Sequence, residues 1–313
     1  MTKQSAIRTG SSLLERAAEV YDFSSGMLIA PAAQPGPVAP PPPREPEQRA
    51  PAQPAPVARP QPLPQRLAPE RGRVTVDRDR LREAGFILPD APVTGLAEEL
   101  RLVKRQLLVV ASGRTGIAEE KRRSVLVCSA QPDEGKTFCA VNLALSLASE
   151  RDLEVLLVDG DFPKPEILSL LGVEGGPGLV DALADANADP EDFVIRTDLG
   201  GLSLLAAGRQ ANNVPELLAS ERTRQVLSRL VEANPRRIIL FDSPPTLMAS
   251  CAPVLAGHVG QALVVVRADK TTETDLKETI GLLSGCGHIG LLLNGAGFAA
   301  NGRRFGDYYG NEQ

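Results

Sequence analysis

The stretch SVLVCSAQPDEGKTFCAVNLALSLASE, residues 124–150, decides the fold. It opens with an apolar, β-rich run, Ser124 to Cys128, and closes with a helix-forming run from Phe138 onward. Between them stands Ala130-Gln131-Pro132-Asp133-Glu134-Gly135-Lys136-Thr137, which reads [AG]xxxxGK[ST]. A strand before and a helix after are the context that makes this spacing a phosphate-binding loop. Loop amides and the positive end of the helix cradle a polyphosphate, and the missing side chain at Gly135 lets it approach. Lys136 then neutralises phosphate oxygens, and the Thr137 hydroxyl suits Mg²⁺. A glycine turn that merely caps a helix would need neither flank.

Downstream, short apolar runs alternate with helical stretches: 154–158, 202–205, 237–241, 262–266 and 290–294. Strands that are apolar throughout are buried on both faces, so the rhythm predicts an α/β fold with a mostly parallel sheet between helices. Ligands of such sheets bind beyond the carboxyl ends of the strands. Asp159 and Asp161 follow the second run, in VLLVDGD, and Asp242 follows the fourth, in IILFDSPP. Each alone is an ordinary turn residue; with the loop they form a set suited to metal binding and proton abstraction.

Upstream of the sheet, VTVDRDRLREAGFILPD (74–90) predicts a short strand and a helix closed by Gly85. A longer helix begins at its cap, Thr94. Leu96, Leu100, Val103 and Leu107 repeat at helical spacing, which turns Glu98, Arg101 and Lys104 outward or toward a neighbour.

Further outward, 15 of the 27 prolines fall within residues 31–70, too few apolar side chains accompanying them to offset the entropy of ordering. The expected organisation is an amphipathic helix within 1–30, a disordered Pro-rich linker at 31–72, a catalytic domain at 73–298 and a flexible tail at 299–313. That tail holds Tyr308 and Tyr309, two of the three tyrosines. A net charge of −5 argues against a nucleic-acid binder. Four cysteines without CxxC spacing, beside only His258 and His288, give neither a zinc site nor a disulfide framework and point to a reducing, cytoplasmic setting. No apolar run reaches the roughly 18 residues of a membrane span, and the basic run at 121–123 reads as a solvated edge.

These motifs resemble the bacterial tyrosine kinases (BY-kinases) of capsule and exopolysaccharide assembly, CpsD/CapB-like P-loop ATPase relatives unlike eukaryotic kinases. Walker A is SAQPDEGKT, Walker A′ is VLLVDGDFPKP and Walker B ends in FDSPP. EELRLVKR is similar to the family's ExxRxxR ring-contact element at Glu98, Arg101 and Lys104, and NVPELLAS (213–220) to its NPxELLxS stretch. The likeness covers about residues 74–296, with spacing most similar to autokinases of exosortase-linked polysaccharide loci.

The resemblance implies ATP bound by Gln131 through Phe138, and Mg²⁺ held by Thr137, Asp161 and Asp242. Lys136, Asp159 and Asp161 would be catalytic, with Asp159 as base. Asn294 would read adenine, and Tyr308 and Tyr309 would accept phosphate from a neighbouring subunit. It further implies homo-oligomers, a membrane polysaccharide co-polymerase as activator, a cognate tyrosine phosphatase and peripheral attachment at the inner membrane. Three positions depart from the family pattern. Asp133 replaces a glycine, though aspartate tolerates left-handed backbone; Pro163 replaces an arginine, with Lys164 beside it; Lys104 replaces the last arginine of its element. Two rival readings are a MinD/ParA-like ATPase switch, disfavoured by Gln131 where those switches carry lysine, and a catalytically weak nucleotide-binding scaffold.

Overall fold

A computed structural model describes residues 72–89, 91–113 and 115–296. The expected N-terminal helix, most of the linker, and the tail with Tyr308 and Tyr309 lie outside the described residues.

Seven strands form one sheet: β1 Ser124–Ser129, β2 Glu154–Asp159, β3 Ile195–Arg196, β4 Leu202–Leu205, β5 Arg237–Asp242, β6 Gln261–Arg267 and β7 His288–Asn294. Their order is β3-β4-β2-β5-β1-β6-β7. All neighbours run parallel except β3 and β4. The mostly parallel sheet expected from the apolar runs is therefore present. The two-residue β3, which pairs antiparallel, is an addition the sequence pattern did not predict.

Among the described residues ten α-helices accompany the sheet: α1 Arg78–Glu83, α2 Gly95–Ala111, α3 Glu119–Arg122, α4 Lys136–Ala148, α5 Ile167–Leu170, α6 Leu179–Ala184, α7 Val214–Ala219, α8 Glu221–Glu232, α9 Cys251–Ala256 and α10 Glu273–Leu282. Side chains of successive strand residues point to opposite faces, and each face is covered. Leu126, Val158, Ile239 and Val264 pack with residues of α6 to α9 on one side. Val125, Leu157, Leu240 and Val265 pack with α1, α4 and α5 on the other. Helix α4 is buried over ten of its positions, so the loop before it is anchored at both ends by core packing.

Two expectations about charged residues are corrected. Lys104 does not face outward: it is 4% exposed, its Nζ donating to the Ser146 carbonyl at 3.0 Å and pairing with Glu150 at 2.7 Å. A long alkyl stem buries readily when its ammonium group finds such partners. Nor are residues 121–123 a solvated edge. Lys121 donates to the Gly257 carbonyl at 2.8 Å, and Arg123 reaches the carbonyls of Asn234 and Val231, tying the start of β1 to the end of α8. Among the described residues no helix is long and apolar enough to cross a membrane.

Candidate functional site

The loop Ala130–Gly135 leaves β1 at the carboxyl edge of the sheet and enters α4 at Lys136. Two residues adopt left-handed backbone there, Asp133 at φ 60° and Gly135 at φ 92°. Aspartate tolerates that geometry better than most side chains, so the Asp133 departure keeps the loop shape. Gly135 is required on two counts: its φ, and a Cβ that would stand 2.2 Å from the Asn294 amide nitrogen. Helix α4 starts with no side-chain cap and no acid in its first turn, which leaves its amino end electropositive.

Asp159 and Asp242 are register partners on adjacent strands, β2 and β5. Gly160 lets the two strand ends approach, its N–H donating to the Asp242 carbonyl at 2.8 Å where a Cβ would lie 2.5 Å from that oxygen. The Asp242 carboxylate accepts from the Thr137 hydroxyl at 2.7 Å, and Asp159 accepts from the Ile167 N–H at 3.0 Å. The other oxygen of each is buried without a hydrogen-bond partner. Asp161 pairs with Lys136 at 2.8 Å, both side chains nearly buried.

Three carboxyls thus crowd about one ammonium group. Burial, only partly offset by that lysine and the hydrogen bonds, pushes Asp242 up to about 7. Burial likewise pushes Asp159 up to about 6 against its backbone hydrogen bonds. Buried carboxyls of this kind are suited to hold a cation or a reacting proton. A cleft of about 390 Å³ opens over Pro132, Gly135, Lys136, Thr137 and Asp161.

The remaining sequence-derived residues are placed as follows. Phe138 lines the cleft and packs its ring on Phe86 at 5.1 Å between centroids. Asn294, at the end of β7, donates its amide to the Glu134 carbonyl at 2.9 Å. Lys164 pairs with Glu166 at 2.8 Å. Glu98 and Arg101 pair with each other on α2.

Sequence reasoning missed a brace behind the loop. Glu134 is fully buried, and its carboxylate accepts from the Gln131 N–H at 2.8 Å and from the Thr271 hydroxyl. Thr271 in turn accepts from the Arg267 N–H at 2.8 Å, and Lys270 donates to the Pro132 carbonyl at 2.6 Å. Gln131 donates to Asp275 at 3.3 Å. The phosphate loop is therefore strapped to the β6–α10 connection. Its one local signal was Thr272 with Asp275, a capping box that marks where α10 begins.

No protein-family model matches the chain. The tyrosine-protein kinase Etk of Escherichia coli K12 is 28% identical over 221 residues, 70% of this chain and 29% of Etk. CapB of Staphylococcus aureus is 26% identical over 225 residues, 71% of this chain and 94% of CapB. The chain thus spans less than a third of Etk but nearly all of CapB. Among solved structures, the VpsO kinase domain is 32% identical with a TM-score of 0.50, covering 62% of this chain and 96% of that domain. The chimerical protein CapA2B2 shares the fold at a TM-score of 0.56 and 21% identity, covering 69% of this chain and 91% of that one.

Proposed function

The chain belongs to the bacterial tyrosine kinase family, and we propose that it transfers the γ-phosphoryl group of ATP to tyrosine, governing the assembly of a capsule or exopolysaccharide. The observation that supports this best is the Lys136–Asp161 pair beside the two buried aspartates, at the mouth of a phosphate loop. Lys136 exchanges Asp161 for the β- and γ-phosphate oxygens. Amides of Gln131 through Phe138 hold the rest of the polyphosphate. Asp159 takes the phenolic proton as the oxygen–phosphorus bond to tyrosine forms and the bond to ADP breaks. Asn294 commits one amide N–H to the Glu134 carbonyl, which leaves its second N–H and its carbonyl oxygen to pair with adenine.

Mg²⁺ fits the residues present. Thr137 and Asp242 are hard oxygen donors, and the unpartnered oxygens of Asp242 and Asp159 lie buried at the strand tips. Among the described residues no three His, Cys, Asp or Glu side chains converge as a metal group. A Mg²⁺ ion that takes most of its oxygens from phosphate and water needs no such cage. Thr137 and Asp242 would hold it, with Asp161 once Lys136 has released that carboxylate. When bound, it supplies charge neutralisation at the transferring group.

Tyr308 and Tyr309 are the acceptors in this reading, phosphorylated by another copy of the chain. Glu98 and Arg101 on α2 serve contacts between copies. A membrane co-polymerase of CapA type serves as activator and peripheral membrane tether, and a tyrosine phosphatase resets the state. The deciding experiment incubates purified chain with ATP and Mg²⁺ and probes for phosphotyrosine. Label that disappears in the Tyr308→Phe/Tyr309→Phe double variant is expected; no label in the wild type at any protein concentration rejects the kinase reading.

The brace behind the loop yields a second expectation. Thr271→Val keeps the shape but removes the hydroxyl that Glu134 accepts from, leaving a buried carboxylate short of a donor. ADP affinity measured by calorimetry should fall about tenfold, from the loss of one charge-assisted hydrogen bond. Thr271→Ser should restore it. Equal affinity in all three proteins would mean that the strap does not shape the loop.

A further inference from the structure

A second cleft, of about 430 Å³, adjoins the phosphate cleft and shares Pro163, Met248 and Ala249 with it. Its walls are apolar in part: Phe162, Val180 and Val214 are buried, while Met248 stands 66% exposed on the ridge between the two clefts. At its rim is one guanidinium group, Arg209.

Arg209 is held in an unusual way for a residue so exposed. Asp181, a buried carboxylate in the first turn of α6, accepts from the Arg209 backbone N–H at 3.1 Å and from its Nε at 2.5 Å. The same carboxylate accepts from the Gly178 N–H at 2.9 Å. Main chain and side chain of Arg209 are thus fixed by one buried group, yet the side chain is 87% exposed. The ends of the fork stay on the solvent side. A pre-organised guanidinium loses little rotamer freedom when it meets a carboxylate, and it matches that group's planar geometry.

We propose that this second cleft is the acceptor groove, and that Arg209 reads an acidic residue immediately before the acceptor tyrosine. The occupant is the segment Phe305-Gly306-Asp307-Tyr308-Tyr309 of a second copy of this chain. Asp307 supplies the charge that complements Arg209, and the ridge at Met248 and Pro163 supplies an apolar surface for an aromatic ring on its way to Asp159. A second copy is the occupant the route favours. The groove lies beyond β4, β2 and β5, whereas β7 is the opposite edge of the sheet, three to five strand spacings or about 14–24 Å away. Residues 297–307 can extend roughly 36 Å, but a chain's own tail would have to run across the phosphate cleft, where the nucleotide sits.

This inference rests on the kinase reading for its meaning, but binding alone tests it. A fluorescein-labelled peptide of residues 302–313 is titrated with the full chain in the presence of ADP, and affinity is read by anisotropy. Arg209→Ala should weaken binding about tenfold, the worth of a charge-assisted contact. Against a peptide carrying Asp307→Asn, wild type and Arg209→Ala should bind alike. Met248→Ala should weaken both peptides to the same extent, and the affinity of Arg209→Ala for ADP should stay within twofold of wild type. Absence of peptide binding to the wild type, or an Asp307→Asn penalty that persists undiminished in Arg209→Ala, overturns the acceptor groove. Neither result touches the phosphotyrosine assay, so the two readings fail separately.

Discussion

Lys136→Met is expected to lower phosphotyrosine formation by at least about 10³-fold, the scale seen when a fixed charge that stabilises a transition state is removed. The ammonium group pairs directly with Asp161 beside Asp159 and Asp242, and it sits at the first helical position after the loop. Methionine keeps much of the stem's packing but leaves Asp161 buried and unpaired, a position 8% exposed in its side chain. The variant therefore also separates binding from chemistry. Residual ADP binding through the loop amides should survive at reduced affinity, while transfer is lost. Phosphotyrosine at wild-type level in Lys136→Met, measured on protein purified free of other kinases, would remove the lysine from the reaction.

Asp242→Asn should have the opposite effects on folding and on activity. Burial raises the Asp242 and Asp159 carboxyls to about 7 and about 6. Both groups hold a proton more readily in the folded chain than in the unfolded one, whose carboxyls titrate near 4. Folding takes up protons between about pH 4 and about pH 7, so the nucleotide-free, metal-free protein loses stability as pH rises through that window. Asparagine carries no charge to bury and can still accept from Thr137. Asp242→Asn should therefore raise the melting temperature at pH 8, worth about 1–2 kcal/mol, and flatten its pH dependence. Phosphotyrosine formation should fall by about 10²-fold or more with the loss of a metal-holding oxygen. A melting temperature that is lower at pH 8 and unchanged in slope would show that Asp242 is not held at a cost.

Much of this was legible because the determining features are local. The strand runs declare themselves by unbroken apolar character, the loop by its glycine and lysine, and the strand tips by aspartates that follow buried residues. Lys104 was misplaced although its position carried a signal: it lies four residues after Leu100 and three before Leu107, on the stripe that faces the core. Its charge argued the other way, and the partner that settles the matter, Glu150, belongs to another element. The brace was invisible for a related reason. Thr271 and Glu134 are separated by 137 residues, and nothing in a hydroxyl or a carboxylate announces a partner at that distance. Strand β3 is too short to show any periodicity.

The resting pair of Lys136 and Asp161 has a consequence for turnover. In the proposed reaction, arrival of a triphosphate would be a swap of counterions and not the capture of an anion by a bare cation, so part of the attraction would be cancelled in advance. The same cancellation operates on departure. As ADP leaves, the ammonium group would fall back onto a waiting carboxylate, so that spent nucleotide leaves a pocket that would otherwise cling to it.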